Sequence, residues 1–250
     1  EALVERVGPD DVVWVNRPDP ALDVYVAGRV MLVNAPPEAL PAAGTGSEAQ
    51  HAATLQAAVD QLEQAQNANQ RVFFLPAPSV AWDPDGVAGN NLTACCELLD
   101  ELVAGGQRIQ VFDTPGRSLA ARQRLDASFA PGMRLTGYRI ERVSDRLHLT
   151  FFWRADALIP GDYTVFVHLK AADGFQAAGA DGDPRGGTAP TSSWTLNTDI
   201  IDPHPITIPP ALARGTYSIE FGWYDRSTGE RLPLATGGDA INIPDVLTIP

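Results

Sequence analysis

The chain has 250 residues, of which 44% are hydrophobic and 20% charged, enough for one large or two small globular cores. Its formal net charge is −13, with 17 acids against 8 bases up to Pro131 and 14 against 10 beyond it. Neither half has the basic stripe that displaces counterions from phosphates, so no nucleic-acid partner is expected, and an anionic membrane surface is disfavoured for the same reason.

No run of eighteen apolar residues exists, and no charged-then-apolar leader opens the chain, so nothing is expected to span a bilayer. The start at Glu1, without a methionine, gives the expectation of a piece of something longer. Lys170 is the only lysine among eighteen bases, which reads as a coding bias toward arginine. Cys95 and Cys96 are neighbours, and a bridge between neighbours requires a strained eight-membered ring. Two reduced thiols, buried as small apolar groups, are therefore expected, with no Lys, Arg or His within a helical turn to activate them.

Val12 to Val15 is a short apolar run that ends in a loop, and Val30 to Val33 is a second. Pro18 to Tyr25 suits a short helix between them, and Asn34 to Gly46 a loop. Ser47 and Gln50 form a capping box ahead of Leu55, Val59 and Leu62. Arg71 to Leu75 is a third strand. Leu92, Cys95, Cys96, Leu99, Leu102 and Val103 recur at helical spacing up to Gly105-Gly106, which predicts a helix stopped by its glycines. Arg108 to Phe112 is a fourth strand, and Ser118 to Phe129 a further helix. Strand and helix alternating four times predicts an α/β, Rossmann-like domain over residues 1–131, with a mainly parallel four-stranded sheet.

In such a sheet ligands lie beyond the carboxyl ends of the strands, which points to Asn16, Arg17, Asp19, Trp82, Asp83 and Asp113. No glycine-rich phosphate loop follows the first strand; Arg17, Pro18 and Asp19 stand there instead, so no dinucleotide or other cofactor is expected. Asp and Pro at these places also serve as helix caps and turn formers.

After Pro131 the apolar period changes from 3.6 to 2. About nine short runs predict an all-β antiparallel sandwich over residues 132–250: 135–140, 147–153, 163–169, 197–202, 206–208, 216–224, 231–235, 241–243 and 246–249. On the third of these, Val165, Val167 and Leu169 share one face, and Phe166, His168 and Lys170 the other.

No catalytic constellation can be assembled from spacing. His51, His148, His168 and His204 are scattered, with no metal-binding pair among them, and Ser192 and Ser193 lack a nucleophile elbow. Glutamates of the all-β half are confined to Glu141, Glu220 and Glu230. Asp181-Gly-Asp183 offers two carboxylates, too few for a calcium shell, and reads as a turn.

Phe166-Val-His-Leu169, Asp173-Gly174, Asp181 to Gly187, Pro190-Thr191 with Trp194, Ile201-Asp202, Pro209, Gly215-x-Tyr217, Gly222-x-Tyr-Asp225 and Gly229 to Pro233 form an ordered series. This series, over roughly Met133 to Pro250, resembles the β-sandwich that ends many bacterial polytopic glycosyltransferases of the protein-mannosyltransferase-like type. Pro9 to Val13 and Pro20 to Tyr25 more loosely resemble the soluble α/β segment of the same proteins. The resemblance implies a non-catalytic, extracytoplasmic tail of an enzyme that draws its sugar from a polyprenyl-phosphate carrier. The membrane body of that parent would be its partner, and its base would lie outside this chain, so no catalytic residue is carried over.

A glycan or lipid-linked acceptor is then the expected ligand. Trp194, His168, Asp181, Asp183, Arg185 and Tyr224 would meet it, as a flat ring with short polar groups beside it. Two other readings stand beside this one: a freestanding carbohydrate-binding protein, and a small-molecule enzyme using the α/β cleft.

Overall fold

The computed structural model describes residues 6–16, 31–34, 48–68, 71–77, 83–104 and 106–250. The chain divides into two compact units, Glu1–Ala121 and Arg122–Pro250.

The first unit contains a five-stranded sheet: β1 (Val12–Val15), β2 (Met31–Asn34), β3 (Arg71–Leu75), β4 (Glu97–Ala104) and β5 (Gln107–Asp113), in spatial order β2-β1-β3-β5-β4. Strand β1 runs parallel to both β2 and β3, but β5 is antiparallel to β3 and β4 antiparallel to β5. The expected mainly parallel four-stranded sheet is therefore corrected to a mixed sheet of five. The segment responsible is 92–103. Helix α2 (Val87–Cys95) stops at Cys96, which has extended backbone angles (φ −125°, ψ 152°), and the chain continues as β4. Ala104 pairs with Gln107 at the close of the β4–β5 ladder, so no helix ends there, and Gly106 stands at φ 77°. A tight antiparallel connection needs left-handed backbone there, which glycine adopts without a Cβ clash.

Helix α1 (Glu48–Asn67) follows Ser47, and Ala58, Leu62 and Ala65 on it pack with Val12, Trp14, Val72, Phe74, Phe112 and Leu92 of α2 on one sheet face. Val13, Val15, Phe73, Leu75, Leu99, Ile109 and Val111 form the core of the other face. Both faces of the central strands are buried, which is why Val12 to Val15 reads as a continuous apolar run. The cysteines are not reduced: Cys95 and Cys96 form a disulfide, and both are half-buried. The predicted helix over 118–129 is instead the short α3 (Pro115–Ala120), capped by Thr114 with proline in its first turn, followed by β6 (Ala127–Phe129). The expected helix over Pro18 to Tyr25 and loop from Ala35 onward lie outside the described residues.

The second unit is a β-sandwich of two four-stranded antiparallel sheets. One is ordered β11-β8-β7-β6, with β7 (Met133–Val143), β8 (Arg146–Ala155) and β11 (Ile200–Thr207). The other is ordered β10-β9-β12-β13, with β9 (Thr164–Ala171), β10 (Gln176–Gly179), β12 (Gly215–Tyr224) and β13 (Ile241–Ile249). The inward residues of both sheets form one core, in which Phe151 and Trp153 of β8 meet Phe221 and Trp223 of β12 at ring separations of 4.4 and 4.8 Å. Eight strands replace the expected nine. The runs at 197–202 and 206–208 fall in one strand, as do those at 241–243 and 246–249, and 231–235 makes only isolated bridges, while β6 and β10 match none of the nine. Pro203 and Pro205 lie two residues apart on the edge strand β11, so their missing N–H groups face the same open side and cost no ladder bond.

Residues 122–131 pack with the sandwich: Gln123 exchanges backbone hydrogen bonds with Tyr138 at 2.7 and 2.9 Å, and β6 pairs with β7. Gly137 permits this approach, since a Cβ there would lie 2.4 Å from the Gln123 carbonyl oxygen. Gly137→Ala should lower stability by about 1–3 kcal/mol in urea unfolding, because backbone must shift to admit the methyl group. Gly89→Ala in α2 should have the opposite sign, a gain of about 0.5–1 kcal/mol, since its Cβ would sit in ordinary contact with Phe74 at 3.4 Å.

Candidate functional site

Strand β9 alternates cleanly. Val165, Val167 and Leu169 enter the core, while Thr164, Phe166, His168 and Lys170 face outward and meet Tyr224, Gly222, Glu220 and Ser218 of β12 by register. The turn that follows β10 folds back onto this face. Asp181 accepts a hydrogen bond from the Val167 amide at 3.0 Å and lies 3.4 Å from His168 Nε2; Glu220 lies 4.0 Å from His168 Nδ1. Asp183 accepts from the Thr164 hydroxyl at 2.6 Å and pairs with Arg226 at 3.0 Å. Lys170 pairs with Glu220 at 3.1 Å, and the Arg231 guanidinium lies 4.1 Å above the Phe166 ring. Gly222 makes room for that ring, since a Cβ there would approach it to 2.7 Å.

The turn itself is held from the other sheet. Asp202, fully buried on β11, accepts from the Arg185 amide at 2.8 Å through Oδ1, and from Trp153 Nε1 at 3.1 Å through Oδ2. His204 Nε2 sits 2.9 Å from the same Oδ2, and His204 Nδ1 sits 2.9 Å from the Ala180 carbonyl. A carbonyl only accepts, so Nδ1 carries a hydrogen. Asp202 and His204 thereby grip both ends of the segment Ala180 to Arg185. That grip accounts for Arg185 holding a left-handed conformation (φ 52°) that a side chain disfavours, ahead of Gly186 and Gly187 at φ 63° and 90°.

Of the sequence-predicted glycan residues, His168, Asp181, Asp183 and Tyr224 gather on or beside the outer face of β9 and β12, and Arg185 stands exposed on the adjoining turn. Trp194 does not join them. It is 6% exposed, packs edge-on against Trp223 at 5.8 Å and donates its indole N–H to the Ala189 carbonyl at 2.9 Å. A sugar cannot stack on a ring whose faces are covered, so the expected platform at Trp194 is corrected to a core anchor. Beside it Thr191 donates to the Gly161 carbonyl at 2.8 Å and accepts from the Tyr163 amide at 3.0 Å. Asp202 and His204 carry the turn, and spacing did not single them out: their signal was the Asp-x-His alternation that turns both inward on one strand.

The cleft expected in the first unit comes apart. Asp113 ends β5, and because β5 is antiparallel its end lies opposite Arg71, at the start of β3; Asn16 follows β1 at the other end, donating its amide to the Leu75 carbonyl at 3.2 Å. Asp83 accepts from the Val87 and Ala88 amides at 2.6 and 3.0 Å, capping α2. Asp113 accepts from Arg117 at 2.6 Å and from the Ser118 hydroxyl. These carboxylates stabilise helix starts. Arg17, Asp19 and Trp82 lie outside the described residues.

Among the described residues no group of three or more His, Cys, Asp or Glu is placed to hold a metal, and no helix is long and apolar enough to cross a membrane. Neither a protein-family model nor a curated protein matches the chain.

Hydrogen bonds from Arg154 hold the Asp199 carboxyl below its ordinary range, and those from Ser192 do the same for Asp162. A carboxyl whose folded value is depressed adds stability above its unfolded value and loses it as pH falls through the folded one. Sandwich stability should therefore be level at neutral pH and drop on the acid side of the ordinary carboxylate range; Asp199→Asn should flatten that limb in pH-dependent thermal melts. Trp194→Ala should cost about 3–5 kcal/mol, read by loss of the folded fraction in urea. His204→Ala should cost less, about 1–3 kcal/mol, because it takes one of three partners from the buried Asp202 carboxylate and leaves the Ala180 carbonyl without its donor.

Proposed function

We propose that this chain is the non-catalytic, extracytoplasmic portion of a membrane glycosyltransferase that uses a polyprenyl-phosphate sugar, and that its sandwich docks or orients the acceptor, or a partner, at the outer membrane face. The observation that carries this reading is the use to which the resembling residues are put. Asp181 to Gly187, Thr191, Trp194, Asp202 and Gly222 all build contacts of the sandwich itself: the turn and its grip, the loop beside Trp223 and the seat for the Phe166 ring. A scaffold signature of this kind belongs to a positioning module. The carboxylates that acid–base chemistry would need are occupied by backbone amides and guanidinium groups.

Two further features support the reading. The Cys95–Cys96 bridge suits an oxidising compartment outside the cytoplasm. Contact with an acceptor would run through the exposed Asp181 and Arg185 and the half-buried His168 and Tyr224 beside them, without stacking on Trp194, so any glycan affinity is weak, on the order of millimolar.

The test is the coding sequence upstream of Glu1 together with protease protection of the full-length product in sealed membrane vesicles. Membrane spans before Glu1, with this region digested only from the outer face, are the expected result. A cleavable leader and no spans would make the chain a freestanding binder, and digestion from the cytoplasmic side would overturn the placement. In a spectrum of the isotope-labelled chain, millimolar mannosides should shift signals from His168, Arg185 and Tyr224 and leave the Trp194 indole unmoved.

A further inference from the structure

His204 of β11 meets two acceptors at once. Its Nδ1 lies 2.9 Å from the Ala180 carbonyl and its Nε2 lies 2.9 Å from Oδ2 of Asp202, in a ring that is 4% exposed. A carbonyl oxygen only accepts a hydrogen bond, and so does an ionised carboxylate. A neutral imidazole carries a single N–H, so one of the two contacts would set lone pair against lone pair. A ring with hydrogen on both nitrogens satisfies both.

The surroundings assign the extra proton to the ring. Oδ1 of Asp202 takes the Arg185 amide at 2.8 Å, and Oδ2 takes the Trp153 indole N–H at 3.1 Å. Donors already aimed at both carboxylate oxygens leave the proton to the imidazole. From the other elements, the ring meets Phe151 of β8 at 5.6 Å between centroids and the backbone at Gly182, where a Cβ would lie 3.7 Å from its Cε1. The charge facing it is that of Asp202, two residues along its own strand. Next to Ala180 stands Asp181, which holds the Val167 amide and lies 3.4 Å from His168 on the outer face. A proton in the core is thus one carbonyl away from a surface carboxylate.

We propose that His204 is an imidazolium that locks the start of the turn from Ala180 to Arg185, and that loss of its proton at alkaline pH releases Ala180 and, with it, Asp181. The neutral ring keeps its hydrogen on Nε2, toward the carboxylate, because that bond is charge-assisted. Nδ1 then presents a lone pair to the Ala180 carbonyl, and that bond is lost. The Arg185 end stays tied to Asp202. In the unfolded chain the histidine is neutral above about pH 6.5. The folded state therefore binds one proton more, so its contribution is full below that value and falls as pH rises, until the folded ring gives up its proton. While the ring holds it, the unfolding constant rises about tenfold per pH unit. Asp162 and Asp199 give a level stretch at neutral pH, and the pair adds this fall to it. The device is independent of the glycosyltransferase reading.

Ring-nitrogen spectra of the isotope-labelled chain test it directly. Both nitrogens of His204 should be protonated at neutral pH. On raising the pH, Nδ1 should lose its hydrogen, and the amide signals of Asp181 and Gly182 should move with the same midpoint while that of Ile243 on β13 stays. In urea unfolding, the wild type should lose stability with rising pH about tenfold per unit more steeply than His204→Gln, which has no proton to release. A single protonated ring nitrogen at neutral pH would remove the imidazolium and the proposal with it. Asp181 and Gly182 signals that ignore the titration of the ring would make the pair a static anchor and overturn the switch. Equal slopes in the wild type and His204→Gln would overturn the proton linkage, and if that variant does not fold, the ring and amide signals of the wild type decide.

Discussion

The sandwich depends on a buried carboxylate that holds partners from three different places. Asp202 takes an indole N–H from its own sheet, an imidazole from two residues along its strand and a backbone amide from the turn beyond β10. The indole N–H and the Arg185 amide would be left unsatisfied without it, and the carboxylate would be costlier still without its partners. The two sheets are thereby joined by directional bonds as well as by the aromatic core of Phe151, Trp153, Phe221 and Trp223. Apolar packing alone leaves registry loose. A network of this kind fixes one arrangement of the turn against the edge strand.

That grip also explains why the acidic turn is a structural element of the sandwich. Asp181 and Asp183 are spent on the Val167 amide and the Thr164 hydroxyl, which stitch the turn to β9. What remains outward is a band of paired charges: His168 between two carboxylates, Lys170 and Arg231 about Glu220. Most of these side chains are half-buried against the outer face of β9 and β12.

The first unit carries a different lesson about edges. Strands β11 and β13 of the sandwich contain prolines, and β6 and β10 are three and four residues long, so each open edge is blunted against stray pairing. Strand β4 is an edge of eight residues that has no proline and is punctuated by a bulge and by Asp100 and Glu101. Its acidic residues do in that sheet what proline does in the other, since two copies of the strand would bring like charges together.

Periodicity alone determined much of this architecture: the change from a mixed half to an all-β half, the inward faces of β8, β9 and β12, and the helix after Ser47. These follow from side-chain spacing, a local property that packing has no reason to overrule when one face is plainly apolar. Residues 92–103 show where it fails. Their spacing is helical, yet the helix stops at Cys95 and residues 97–104 pair antiparallel with β5, which makes the sheet mixed. The predicted cleft dispersed for the same reason, because an antiparallel β5 carries Asp113 to the end of the sheet opposite Asn16. Trp194 and His204 are likewise beyond the reach of sequence. Whether an indole lies open to a ligand or is shut against Trp223, and whether a histidine meets water or a buried carboxylate, depends on residues brought near only by the closing of two sheets.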